Sequence, residues 1–176
     1  VYRRQLHGDV RHFALSPTLR VMALASAGTG QVVVADPVVV EPVAAYAVEG
    51  KPVDVVFVAN DSTLVAAVEK ADGTGQLMIW KLKLEKKKGL VVKEEWSVSL
   101  PAAPVRLSRS PDRRHIAAAL RSGEVQIVEV STRLPVSTAQ LPGVPRDFVW
   151  CDPLRAGPLL PDWSDDDEPT LDLGGR

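Results

Sequence analysis

The side chains able to do chemistry are few and far apart. The histidines are His7, His12 and His115, and the sole cysteine is Cys151. A zinc site needs Cys, His or carboxylate ligands clustered at short fixed spacings, and these residues have no such spacing. Nucleophilic hydrolysis needs a serine or cysteine beside a base, often on a Gly-x-Ser-x-Gly elbow. That elbow is missing, and Ser16, Ser108 and Ser110 read as turn serines. Gly28-Thr29-Gly30 and Gly73-Thr74-Gly75 have the glycine content of a phosphate cradle. Such a cradle also needs a lysine and a following helix that presents N–H groups, so both stretches read as hairpin turns. The sequence therefore predicts no catalytic residue, no metal site and no cofactor. The expectation is a protein that is not an enzyme.

Residues able to bind are easier to find. Lys81-Leu82-Lys83-Leu84-Glu85-Lys86-Lys87-Lys88 is a basic cluster. It reads as a solvated loop on a sheet edge, with Lys86, Lys87 and Lys88 able to meet an acidic partner or a nucleic-acid backbone. Arg106, Arg109, Arg113, Arg114 and Arg121 form a second basic concentration. Residues 154–176 are rich in Pro and acid, with Trp163-Ser164-Asp165-Asp166-Asp167-Glu168 at their centre. Such a composition buries too little apolar surface to fold alone, so an extended or disordered tail is expected. Trp and Arg dominate interface energies. The partner-binding candidates are accordingly Trp96, Arg113, Arg114 and Trp163, together with Lys86, Lys87 and Lys88.

The elements that must position these residues follow from composition and repetition. Hydrophobic residues make up 45% of the 176, aromatics only 5%, and the formal net charge is −1. That charge argues against global attraction to nucleic acid or to an anionic membrane. No run approaches the roughly 18 apolar residues of a membrane-spanning helix, so membrane insertion is not expected. A lone cysteine cannot close an internal disulfide, which points to an intracellular home, cytoplasmic or nuclear. Val1-Tyr2-Arg3-Arg4-Gln5 leads into no apolar signal segment, and the absence of an initial Met suggests a processed or partial chain.

One stretch recurs. Gly75-Gln76-Leu77-Met78-Ile79-Trp80-Lys81 is echoed by Gly30-Gln31-Val32-Val33-Val34-Ala35-Asp36 and by Gly123-Glu124-Val125-Gln126-Ile127-Val128-Glu129. The glycines at 30, 75 and 123 stand 45 and 48 residues apart. A period of that size marks repeat architecture. Within each period, short apolar runs alternate with Gly, Pro and Asp clusters, the pattern of strands rather than helices. The runs begin at Val10, Val21, Gln31 and Val38 in the first unit, and at Val53, Leu64, Gln76 and Leu90 in the second. In the third they begin at Val105, His115, Glu124 and Leu134. Lys83 to Gly89 reads as a charged insertion before the last strand of the second unit. Pro145 to Trp150 starts a fourth unit, and residues 1–9 read as an outer strand of another.

The repeat resembles the WD40 family. Phe13-Ala14-Leu15-Ser16-Pro17 and Ser110-Pro111-Asp112 look like the family's first turn. Leu24-Ala25-Ser26 and Ile116-Ala117-Ala118 look like its second strand, and Ala35-Asp36, Trp80-Lys81 and Val128-Glu129 stand where Trp-Asp would. The resemblance covers roughly residues 7–153 and implies four-stranded β-propeller blades, in units of about 7–50, 51–101, 102–142 and the start of a fourth at 143–153. It also implies that His7 hydrogen-bonds within its blade. A propeller closes with roughly 4–8 blades, and about three are present. The fold class implied is all-β, a propeller segment completed by a larger or shared ring. Other protein subunits would supply the missing blades. The function implied is a scaffold for protein–protein contacts in a multi-subunit complex. The competing expectation is a nucleic-acid-associated subunit of a ribonucleoprotein or chromatin complex that uses the basic loop 81–88.

Overall fold

The computed structural model describes residues 9–16, 18–39, 41–59, 62–145 and 150. His7, the lead strand at 1–8, the fourth-unit residues 146–149 and the acidic tail with Trp163 lie outside the described residues. Twelve strands form three four-stranded antiparallel sheets, and the described residues include no helix. The first sheet is β1 (Val10–Ser16), β2 (Val21–Ser26), β3 (Gln31–Ala35) and β4 (Pro42–Ala47). The second is β5 (Lys51–Val58), β6 (Thr63–Glu69), β7 (Gly75–Glu85) and β8 (Gly89–Leu100). The third is β9 (Pro104–Arg109), β10 (His115–Leu120), β11 (Glu124–Glu129) and β12 (Leu134–Gln140). Each sheet pairs its strands in chain order, so every connection is a hairpin. This arrangement is consistent with a β-propeller-like fold.

The turn residues set the boundaries. Ser110-Pro111-Asp112-Arg113 closes with the Arg113 N–H donating to the Ser110 carbonyl at 2.9 Å, and Pro pre-sets the backbone at the second position of such a turn. Gly123 has φ of 87°, and a Cβ there would lie 2.9 Å from the Leu141 carbonyl oxygen. At Gly75 a Cβ would meet Pro104 Cδ at 2.5 Å and the Ala102 carbonyl at 2.7 Å. That glycine lets the second sheet start where the third begins. Pro42 is the first residue of an outer strand, where a missing N–H costs no ladder bond.

Register makes the repeat exact at the level of pairs. Ala25, Ala67 and Ala119 each face an inner-strand residue just past a β-bulge: His12, Asp54 and Arg106 respectively. Gln31 pairs with Ser26 and Gln76 with Val68, which puts Gly30, Gly75 and Gly123 at one structural position. The second strands β2, β6 and β10 are rich in Ala and mostly buried. One apolar cluster joins the first sheet to the second through Val21, Ala23, Val32, Val34, Phe57, Leu64 and Trp80. Another joins the second to the third through Val65, Leu77, Ile79, Ile116, Ala118 and Val128. The middle sheet thus buries both of its faces.

One expectation changes. Lys83 to Gly89 is not an insertion between strands: β7 and β8 pair through it, from Leu82 opposite Val92 to Glu85 opposite Gly89. The segment is the end of a long hairpin, turned by Lys86, Lys87 and Lys88 and by Gly89 at φ 72°. Its alternation of Lys and Leu is the period of a strand with two different faces. Leu82 and Leu90 pack against the cluster between the first two sheets, so the arm closes that seam. The five arginines, spread across strands and turns in the sequence, reach different partners. Arg106 Nη1 lies 2.6 and 2.7 Å from the ring nitrogens of His12, Arg109 donates to the Phe57 carbonyl at 2.9 Å, and Arg121 pairs with Glu69 at 3.3 Å. Only Arg113 and Arg114 share one cavity.

Asp54 fastens the inner strands. Its buried carboxylate accepts the Leu107 N–H at 2.8 Å across the sheet boundary and the Val55 N–H at 2.8 Å. His12 Nδ1 and Arg106 Nε stand 3.7 and 3.8 Å from its oxygens. Replacing Asp54 by Ala leaves the Leu107 N–H without an acceptor and two cationic or polar side chains without their counter-charge. The expected cost is about 2–4 kcal/mol, read from the midpoint of urea unfolding. Asp54→Asn, which keeps one acceptor oxygen, should lose less.

Candidate functional site

The second and third sheets leave a cleft of about 740 Å³ between them. Its walls come from Ala59, Thr63, Lys81, Glu94 and Trp96 on one side, and from residues 112–114, 129–131 and 133 on the other. Register explains how a cavity opens here. Between the first two sheets, Trp80 stacks on Tyr46 with ring centroids 5.2 Å apart, and Leu82 and Leu90 of the long hairpin cover the join. The positions matching Trp80 and Leu82 in the third sheet are Val128 and Val130. The Leu82 N–H donates to the Ser62 carbonyl, and the Val130 N–H donates to the Arg114 carbonyl in the same way. The hairpin after Val130 turns back within residues 130–133. Smaller side chains and a shorter hairpin leave space, and Trp96 forms its floor.

The cleft has a wired interior. Arg133 lies over the Trp96 ring with its guanidinium carbon 4.3 Å from the centroid, a cation–π contact. The same guanidinium donates to Glu94 Oε2 at 2.8 Å, while Lys81 Nζ donates to Glu94 Oε1 at 2.9 Å. The Lys81 hydrogen bond and charge, with Arg133 behind them, hold the Glu94 carboxyl below its usual range. Asp112 accepts from the Ser110 hydroxyl and from the Arg114 N–H, and these bonds hold its carboxyl low as well. Trp96 packs its other side on the core cluster.

Ser110, Asp112 and His115 meet at the rim, a trio of residue types that invites a hydrolase reading. The wiring points elsewhere. A nucleophilic serine gives its proton to a histidine nitrogen, whereas Ser110 Oγ donates to the Asp112 carboxylate and accepts the His115 backbone N–H at 2.9 Å. The trio ties a turn. Among the described residues no group of three His, Cys, Asp or Glu is placed to hold a metal ion.

No family model matches the sequence, and no curated protein matches it. The fold has solved neighbours. A chain of hydrazine synthase from Kuenenia stuttgartiensis superposes with a TM-score of 0.62 at 14% identity, over 83% of this chain and 41% of that one. The present chain therefore spans less than half of that neighbour's length. The likeness is one of fold.

Of the sequence candidates, Trp96, Arg113 and Arg114 share the cleft. Lys86, Lys87 and Lys88 stand apart at the tip of the β7–β8 hairpin, outside its lining. Trp163 lies outside the described residues. Sequence reasoning missed Lys81, Glu94 and Arg133 as members of the site. Lys81 and Glu94 are cross-strand partners, which a correct reading of the hairpin register would have revealed. Arg133 had no local signal.

A carboxyl held low in the folded chain adds stability at pH above its ordinary value and loses it as pH falls through the lowered one. The Glu94 network should therefore stay ionised through the ordinary carboxylate range and open only in stronger acid. A carbon-13 titration of the Glu94 side chain should show a midpoint below that of a free glutamate. In Lys81→Met the midpoint should move up; an unchanged midpoint would refute the wiring.

Proposed function

We propose that this chain is a segment of a WD40-like β-propeller and works as a non-enzymatic scaffold for protein–protein contacts inside a multi-subunit intracellular assembly. One observation carries the reading. Positions that are buried between sheets in the middle unit are bare in the first. Val55 and Phe57 are 4% and 1% exposed, whereas Phe13 and Leu15, at the same register positions of β1, are 65% and 55% exposed. Those two side chains have the size and polarity of buried ones, and no sheet among the described residues covers them.

Burying a side chain of this size is worth about 1.5–3 kcal/mol, so a further four-stranded blade on this face would gain several kcal/mol. That blade comes from a neighbouring subunit or from additional blades of a larger ring. The WD40 likeness of the turn serines, the Ala-rich second strands and the Trp80 position supports the reading.

The test is hydrodynamic. At micromolar concentration the chain alone should self-associate in sedimentation velocity, through the bare face of β1–β4. Leu15→Asp should raise the monomer fraction without lowering the unfolding midpoint, whereas Phe57→Ala should cost about 3–5 kcal/mol. A monomeric wild-type chain, unaltered in sedimentation by Leu15→Asp, would sink the proposal.

A further inference from the structure

The scaffold reading leaves open what the cleft between the second and third sheets receives. We infer that it is a receptor for an acidic, extended peptide segment of a partner protein, with Arg114 reading the acid and Trp96 forming the floor. The inference rests on the scaffold reading for the class of partner, and on the cleft alone for its chemistry.

The charges of the cleft are already partly matched, and the remainder has one sign. Lys81, Arg113, Arg114 and Arg133 face Glu94, Asp112 and Glu129. Each carboxylate has protein donors. Glu94 takes Lys81 and Arg133, Asp112 takes the Ser110 hydroxyl and the Arg114 N–H, and Glu129 Oε2 accepts the Thr132 hydroxyl at 2.8 Å. Four cations against three carboxylates leave the lining with a net positive charge. Arg114 is different: its backbone is fixed by the Val130 N–H and by Asp112, and its side chain is exposed. Among the described residues its guanidinium has neither a hydrogen bond nor an ion pair. A guanidinium held at a cavity rim by a rigid turn offers a planar fork suited to a carboxylate, and two parallel N–H···O bonds give such a pair strength and direction.

Size and shape select a peptide. The volume of about 740 Å³ lies within the range of roughly 300–1,000 Å³ found for ligand sites. Its lining draws on strands β7 and β8 of the second sheet and on the turns at 112–114 and 130–133 of the third. A nucleic acid fits less well. The run Lys86, Lys87 and Lys88 that could draw its backbone lies at the hairpin tip outside the cleft.

The probe is a fluorescein-labelled peptide, Gly-Glu-Asp-Glu-Asp-Glu-Gly, titrated with the full chain and read by anisotropy. Its control has Gln and Asn in place of the acids. The wild-type chain should bind the acidic peptide and discriminate against the neutral one. Arg114→Glu should weaken binding about tenfold or more, the factor that loss of one charge-assisted pair produces. Arg114→Lys should recover part of the loss, and Lys87→Glu at the hairpin tip should leave the affinity within about twofold. Circular dichroism melts of the exposed-site variants should match wild type. Equal binding of both peptides would overturn the inference. So would no binding at about 1 mM, dependence on Lys87 but not on Arg114, or a single-stranded oligonucleotide that competes through Arg114 more strongly than the peptide. Failure here with Leu15-dependent association intact removes the receptor and keeps the scaffold. Peptide binding without such association does the reverse.

Discussion

A four-stranded sheet of this composition has two apolar faces, and everything else in the molecule answers that constraint. The middle sheet meets it by lying between two others. Its Phe57, Leu64 and Trp80 go to one side and its Val65, Leu77 and Ile79 to the other. Alternation along a strand makes this division automatic, because successive side chains point to opposite faces. The same alternation condemns the first sheet to one covered and one uncovered face so long as three sheets stand alone. The bare Phe13 and Leu15 are therefore a consequence of the sheet's construction, not a surface accident.

The strands were legible because their punctuation is chemical. Ser110-Pro111-Asp112 and the glycines at 30, 75 and 123 name turns by backbone preference, and the small apolar runs between them can be nothing longer than strands. The β7–β8 hairpin was misread where charge outweighed period. Lys81-Leu82-Lys83-Leu84-Glu85 alternates as a strand does, and only the lysine content suggested a loop. The cleft was half legible. Trp96, Arg113 and Arg114 stood out as residue types that dominate interfaces. Their meeting, and the part played by Arg133, depends on how two sheets stack, which no local pattern encodes.

The repeat also separates positions that must match from positions that need only be compensated. Ala25, Ala67 and Ala119 keep one identity at one fully buried register position, where a larger side chain would overpack. Opposite them stand His12, Asp54 and Arg106, three different chemistries at one register position. They are tolerated because they satisfy one another: the carboxylate takes a backbone N–H from the next sheet and sits near both neighbours. A degenerate repeat of this kind loses its sequence signature first where side chains meet polar partners across blades. It keeps the signature where they meet backbone and methyl groups.

The same logic accounts for the place of the cleft. A seam between stacked sheets closes when the outer strands bring large side chains or an overhanging hairpin to it. The first seam has both, in the Trp80–Tyr46 stack and the Leu82–Leu90 arm. The second has Val128 and Val130 at the matching positions and a hairpin that turns back at once. What fills the gap instead is a charged network anchored on Trp96. These charged side chains are exposed and keep their water, so they cannot seal a seam as a tryptophan does. The seam between the second and third sheets is thus open by composition, and four cationic and three acidic side chains line its opening.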